Sequence, residues 1–163
     1  MEEMTNVLDC LKTALMSIES QYYRLIILVN CKGINKQNVL STLESGGETK
    51  LINLNLELSS KLLEYSIKQR PLKVAELVTD IIYSFPSTVL LDNIDILFEP
   101  SLKTDPLALL KSLSTNKSII AFWNGALKDK KLYYAEPGFP EYISYPVREF
   151  VAIYAQPQDN FPA

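Results

Sequence analysis

Three polar residues, each placed just after a short apolar run, have the types needed to handle a phosphate. The first is Lys36, in the stretch Asn30-Cys-Lys-Gly-Ile-Asn-Lys-Gln37 that follows Leu25-Ile-Ile-Leu-Val29. Set against the phosphate-loop pattern G-x-x-x-x-G-K-[ST], the lysine is retained. Asn30 and Asn35 stand where the two glycines would be, and Gln37 stands where the Mg2+-binding hydroxyl would be. Asparagine is the non-glycine residue that best tolerates positive φ, so both replacements are expected to preserve the loop backbone. Amides at the start of a following helix would favour an anion there. Asn30, Gly33, Asn35, Lys36 and Gln37 therefore form the candidate phosphate-binding set. Against it stands the bland alternative that a lysine in a first helical turn is a common surface feature.

The second is Asp92, at the end of Thr88-Val-Leu-Leu-Asp92. An aspartate just past a buried strand is where a P-loop NTPase holds its Mg2+-associated acid. A structural reading competes with this one, in which Asp92 only caps the next turn. Asn93 takes the place where many ATPases keep a water-polarising glutamate, and Asp95 and Glu99 are nearby carboxylates whose ordinary place is a solvated loop. The third is Asn124, after Ser118-Ile-Ile-Ala-Phe-Trp123. A polar residue at such a tip suits a sensor of the γ-phosphate or of attacking water, although Asn-Gly is also a common turn pair. Asp95 and Asn124 are the candidate catalytic residues and Asp92 the candidate metal-associated one. Arg148 is a remote candidate for a phosphate or a neighbouring subunit, with ordinary surface charge as the alternative.

Positioning three strand-end residues around one point requires an α/β sheet. Apolar residues at Val7, Leu8, Leu11, Leu15 and Ile18 have helical spacing. Leu25–Val29 is short, β-branched and continuously apolar, the pattern of a strand buried on both faces of a parallel sheet. A short helix carries Val39, Leu40 and Leu43 and ends at Ser45-Gly-Gly47. The next strand reads Lys50 to Leu56, followed by a helix over Ser59 to Ile67. Arg70-Pro71 opens an amphipathic helix through Phe85, which Pro86 closes. Asp105-Pro106 are an N-cap and N1 pair for a helix with Leu107, Leu110 and Leu113. Leu132 to Pro146, rich in Tyr and Pro, predicts a hairpin or ordered loop around Pro137-Gly138. Phe150 to Ala155 predicts a fifth strand. The expectation is one domain over residues 1–156 with a tail over 157–163, built on a mostly parallel five-stranded sheet.

Composition removes several chemistries. The 163 residues contain no histidine, which excludes His-dependent triads and His-ligated metals. Two cysteines, Cys10 and Cys31, cannot make a zinc site alone. A net charge of −3 gives no general electrostatic case for nucleic acid, apart from a local group at Lys128, Lys130 and Lys131. The tyrosines around Pro137-Gly138 either pack that loop onto the sheet or face a partner. No basic residue is interleaved with them after Lys131, which argues against base stacking. No apolar run approaches the ~18 residues of a membrane span, so a cytoplasmic domain is expected.

From about Tyr22 to Tyr145 the chain resembles the BrxF family, small P-loop proteins of type 3 BREX bacteriophage-exclusion systems. The most specific segment is Leu90-Leu-Asp-Asn-Ile-Asp-Ile-Leu-Phe-Glu-Pro-Ser-Leu102, continuing through Asp105-Pro-Leu107 to Leu113-Ser114. Trp123-Asn-Gly125, Tyr134-Ala-Glu-Pro-Gly138 and Pro140-Glu-Tyr142 also match, and Asn53-Leu-Asn-Leu-Glu-Leu-Ser59 matches more weakly. The resemblance implies a three-layer α/β/α, AAA-like ATPase core without a lid domain. It implies ATP and Mg2+ as ligands, and antiphage defence as the setting. Lys36, Asp92 and Asn124 would be the phosphate-loop lysine, the Mg2+-associated acid and the sensor-type residue. Self-association or docking on larger BREX ATPase subunits is the implied assembly. The departures at Asn30, Asn35 and Gln37 make little or no hydrolysis the expectation. The competing class is a pseudo-ATPase that serves as an assembly module.

Overall fold

A computed structural model describes residues 2–29, 34–85 and 87–154. Asn30, Cys31, Gly33, Pro86 and the expected tail over 157–163 lie outside the described residues. Helix α1 (Glu2–Ile18) precedes β1 (Leu25–Val29), α2 (Lys36–Glu44) and β2 (Thr49–Asn53). Helices α3 (Leu54–Leu62) and α4 (Arg70–Tyr83) lead to β3 (Thr88–Asp92). Two 3-10 turns, Ile94–Phe98 and Pro100–Leu102, precede α5 (Pro106–Leu113) and β4 (Ile119–Trp123). Three short strands follow, β5 (Gly125–Lys128), β6 (Lys131–Tyr134) and β7 (Ile143–Pro146), and then β8 (Val151–Tyr154).

The main sheet has the order β2-β3-β4-β1-β8, and each of its four pairings is parallel. Every residue of β1 is buried, as a strand covered on both faces must be. Alternate residues point to opposite faces, and the core divides accordingly. Ile26, Leu28, Leu90 and Ile120 meet Val7, Leu11 and Ile18 of α1 and Val39 and Leu43 of α2. Leu25, Ile27, Leu91 and Ala121 meet Leu58, Val78, Ile82 and Leu110 of α3, α4 and α5 on the other side. The molecule is thus layered α/β/α. The chain leaves β1 toward one face and β3 toward the other, which opens a crevice beyond the carboxyl ends of the central strands.

Two boundaries differ from the sequence reading. The second strand ends at Asn53 rather than Leu56, and the next helix covers Leu54–Leu62 rather than 59–67. The reason is a cap: the Asn53 side-chain oxygen accepts from the Leu56 backbone N–H at 3.1 Å, which turns the chain into a helix. The alternating Leu54, Leu56 and Leu58 imitate a strand, yet Leu54, Leu58 and Leu62 are buried at helical spacing and Leu56 is exposed. Asp95 and Glu99 belong to the 3-10 segment, as a residue of the first turn and the cap between its two pieces.

The larger difference lies between β4 and β8. The hairpin expected around Pro137-Gly138 is present as β6–β7, but a further strand, β5, starts at Gly125 in place of the alternative Asn-Gly turn and extends it to an antiparallel sheet, β5-β6-β7, that stands where a crossover helix would return the chain. Its register aligns Leu127 with Leu132 and Tyr145, and Gly125 with Tyr134 and Ile143. These rows face the core, against Trp123 and Phe98. The Phe98 and Tyr134 rings stack at 3.5 Å between centroids. Trp123 donates its indole N–H to the Tyr133 carbonyl at 2.8 Å. That bond requires a bare backbone at Gly125, where an added Cβ would lie 1.9 Å from the same oxygen.

At the opposite end of the sheet, the Lys117 ammonium is buried and donates to the carbonyls of Phe85 and Ser87, joining the entrance of β4 to that of β3. Burial lowers its pKa from the ordinary lysine value.

Candidate functional site

The crevice brings Lys36, Asp92 and Asn124 to one cavity of about 260 Å3, lined also by Ile34, Asn93, Phe122 and Trp123. Each polar residue arrives from a different element. Lys36 is the first residue of α2, Asp92 the last of β3, and Asn124 the residue after β4. The strand order explains their meeting: β4 lies between β3 and β1, so its tip falls between the acid and the lysine loop.

The Lys36 Nζ and Asp92 Oδ2 form an ion pair at 2.5 Å, with the lysine side chain half exposed and the aspartate 15% exposed. The ammonium also lies 6.0 Å from the centre of the Phe122 ring. The second Asp92 oxygen accepts from the Asn93 backbone N–H at 2.9 Å. Asn93 has φ 54° and ψ 57°, a left-handed conformation that asparagine tolerates better than most residues. Its carbonyl accepts from the Asn55 N–H at 3.0 Å and so fixes the start of α3 to the end of β3. The backbone therefore accounts for an asparagine where an ATPase would keep a glutamate.

Asn35 departs from its expected role. Its φ of −70° and ψ of 118° are extended, with no positive φ, and its side-chain oxygen accepts from the Gln37 N–H at 2.8 Å. The residue is a conventional N-cap, and it occupies an amide that an anion would otherwise take. Asn35 and Gln37 are both exposed and do not line the cavity.

Asp95 meets Asn124 but does not line the lysine cavity. The Asn124 side-chain amide donates to Asp95 Oδ2 at 3.1 Å, and the Tyr134 hydroxyl donates to Asp95 Oδ1 at 2.6 Å. Asp95 lines an adjacent hollow with Phe98, Glu99, Pro100, Tyr134 and Glu141. With both oxygens engaged, its direct role is to orient Asn124. Burial, with the Asp95 hydrogen bond and charge, pushes the Tyr134 phenol well above its ordinary value of 10.0, so it remains a proton donor to that carboxylate. The sequence reading placed Tyr134 beside the Pro137-Gly138 turn but not against Asp95, although the two-residue alternation Leu132, Tyr134 marks it as inward-facing.

Arg148 lies before the amino end of β8, which runs parallel to β1. It is therefore at the opposite end of the sheet from Asp92, and within one chain it cannot serve this cavity. It lines a separate groove of about 510 Å3 beside α5, with Tyr22, Tyr23, Lys111 and Tyr145. Of the four tyrosines around Pro137-Gly138, Tyr134 and Tyr145 pack against the core, the first of the two alternatives open to them. Tyr133 and Tyr142 form a separate outward pair.

Among the described residues, no three acidic or cysteine side chains gather where they could hold a metal ion. Among these residues Asp92 is the one carboxylate lining this cavity, and its two oxygens are engaged by the Lys36 ammonium and the Asn93 N–H. Gln37 does not supply the usual hydroxyl. No helix among the described residues is long and apolar enough to cross a membrane. No protein-family model matches the chain, and no curated protein matches it.

Proposed function

We propose that this chain is a nucleotide-binding, P-loop ATPase-like subunit with little or no turnover. One observation carries the proposal: Lys36, Asp92 and Asn124 line one cavity at the carboxyl ends of three adjacent parallel strands. In this reading the Lys36 ammonium exchanges its carboxylate partner for the β- and γ-phosphates of ATP. Asp92, once released, would be the residue to hold Mg2+, which would offset phosphate charge, and Asn124 would orient a water at the γ-phosphate. Gln37 and Asn93 provide neither a metal-binding hydroxyl nor a base, which is why turnover is expected to be slow. The cavity of about 260 Å3 suits a phosphate group better than a whole nucleotide. A neighbouring subunit, either a second copy or a larger ATPase, would complete the site. The assignment to BREX antiphage defence rests on the sequence resemblance alone.

A second reading, the pseudo-ATPase assembly module, is favoured by a different observation. Lys36 and Asp92 neutralise each other, and Asn35 satisfies the Gln37 amide, so the site is already saturated from within. Calorimetric titration with ATP, with and without Mg2+, separates the two. The nucleotide-binding reading expects heat that Lys36→Ala reduces and that Asp92→Ala reduces only when Mg2+ is present. Equal affinity in the wild type and Lys36→Ala would overturn it in favour of the assembly module.

A further inference from the structure

The antiparallel sheet carries a second surface that the proposed nucleotide site does not use. Its outward rows, read from the register opposite to the core rows, are Lys128 with Lys131 and Ala126 with Tyr133 and Ser144. Lys128 and Lys131 are directly opposed across the hairpin, and like charges so placed are destabilising. The turn joining them is Asp129-Lys130, with φ 52° and 60°. Two left-handed residues make a type I′ turn, for which Asn-Gly or Asp-Gly is the unstrained choice. A lysine in this conformation is a further cost. Three exposed lysines thus occupy one hairpin tip at the expense of local stability. Among the described residues none of the three has an ion pair. The tip is held in place, because the Val147 N–H donates to the Lys130 carbonyl at 3.0 Å.

Tyr133 follows Lys131 on the same face, one pleat away. Its cross-strand neighbours, Ala126 and Ser144, are too small to cover its ring. Tyr142 lies beside it with 6.5 Å between centroids and 29° between planes, and Phe139, half exposed, follows in the same loop. Asp129, exposed in the turn itself, offsets one of the three lysine charges and leaves the tip with a net positive charge, while Glu136 and Glu141 belong to the β6–β7 loop, at the end of the sheet away from the tip. Along the chain no basic residue alternates with the tyrosines beyond Lys131, yet pleating places the lysines and the rings on one surface.

We propose that this face binds single-stranded nucleic acid, with the lysine tip on backbone phosphates and Tyr133 and Tyr142 as a platform for bases. Charge alone would suit an acidic protein equally well. The aromatic platform beside the charge favours a strand with unpaired bases. Binding is weak and strongly salt-dependent, since the chain as a whole carries a net charge of −3.

Fluorescence anisotropy with a labelled mixed-sequence 12-mer DNA strand tests this. Three phosphate contacts predict a slope of log K against log salt near −2, or a loss of about 20-fold between 50 and 200 mM salt. The triple variant K128T/K130G/K131T should abolish binding while raising the melting temperature by ~2–4 °C, because the repulsion and the left-handed lysine are removed. Tyr133→Ala should weaken binding about tenfold. Wild-type binding that the triple variant retains would overturn the proposal. So would equal affinity for a duplex of the same sequence, or for poly-glutamate, the latter pointing to an acidic protein partner. ATP titration of the same triple variant reads the nucleotide site independently.

Discussion

At the residue scale, the cavity depends on side chains that currently hold one another. Lys36→Ala should reduce ATP affinity by about 1.5–3 kcal/mol, the scale of a hydrogen bond to a charged group, and calorimetry reads the change. Gly125 makes a sharper structural test. Its added Cβ would collide with the Tyr133 carbonyl that Trp123 holds. Gly125→Ala should therefore lower stability by about 2–3 kcal/mol, with a red shift of the single tryptophan's fluorescence as the indole bond is lost. Partial burial and a carboxylate partner push the phenols of Tyr134 and Tyr145 above their ordinary value of 10.0 in the folded chain. Above pH ~10 the unfolded chain releases these protons first, so the folded state binds more protons and stability falls as pH rises. Tyr134→Phe and Tyr145→Phe should each flatten that alkaline decline, measured by denaturant unfolding between pH 9 and 11. The three polar residues that line the cavity were legible at this scale, because a strand-end Asp, Asn or Lys is visible in a sequence. The occupancy of their atoms was not legible. Nothing in the order of residues says that Asp95 spends both oxygens on Asn124 and Tyr134, or that Asn35 is extended rather than left-handed.

At the element scale, caps decide where elements begin, and two of them are exposed to test. Asn53 converts a leucine alternation into α3, and Asn53→Ala should cost about 1 kcal/mol in urea unfolding. Asp105 does more. Its Oδ1 accepts from the Ala108 N–H at 3.2 Å and from the Tyr145 hydroxyl at 2.8 Å, tying the start of α5 to β7. Asp105→Ala should therefore cost about 2–4 kcal/mol, the sum of a cap and a charged hydrogen bond. Most elements could be read from periodicity. Helix α4 and the all-apolar β1 are long or uniform enough to be unambiguous. The stretch Asn53 to Leu58 was ambiguous because its leucines satisfy both periods for two turns, and only a three-dimensional cap chooses between them. The strands β5 to β7 are four residues each, too short for alternation to stand out among prolines and tyrosines.

At the scale of the whole molecule, the layering followed from the pattern of elements, while the sheet's neighbour order depended on which crossovers run over which face. That order has a consequence in time. Strand β1 is an interior strand of the sheet, yet its two neighbours, β4 and β8, are among the later elements of the chain. During synthesis Leu25-Ile-Ile-Leu-Val29 emerges from the ribosome early, with both edges open and only α1 available to cover one face, and waits for most of the chain to follow. An uncharged, β-branched strand in that condition is prone to pair with another nascent copy. Demand for a holding chaperone should therefore be set by the interval before β4 and β8 arrive, and slowing translation between the codons for Asn30 and Ile119 should raise the insoluble fraction of otherwise normal protein.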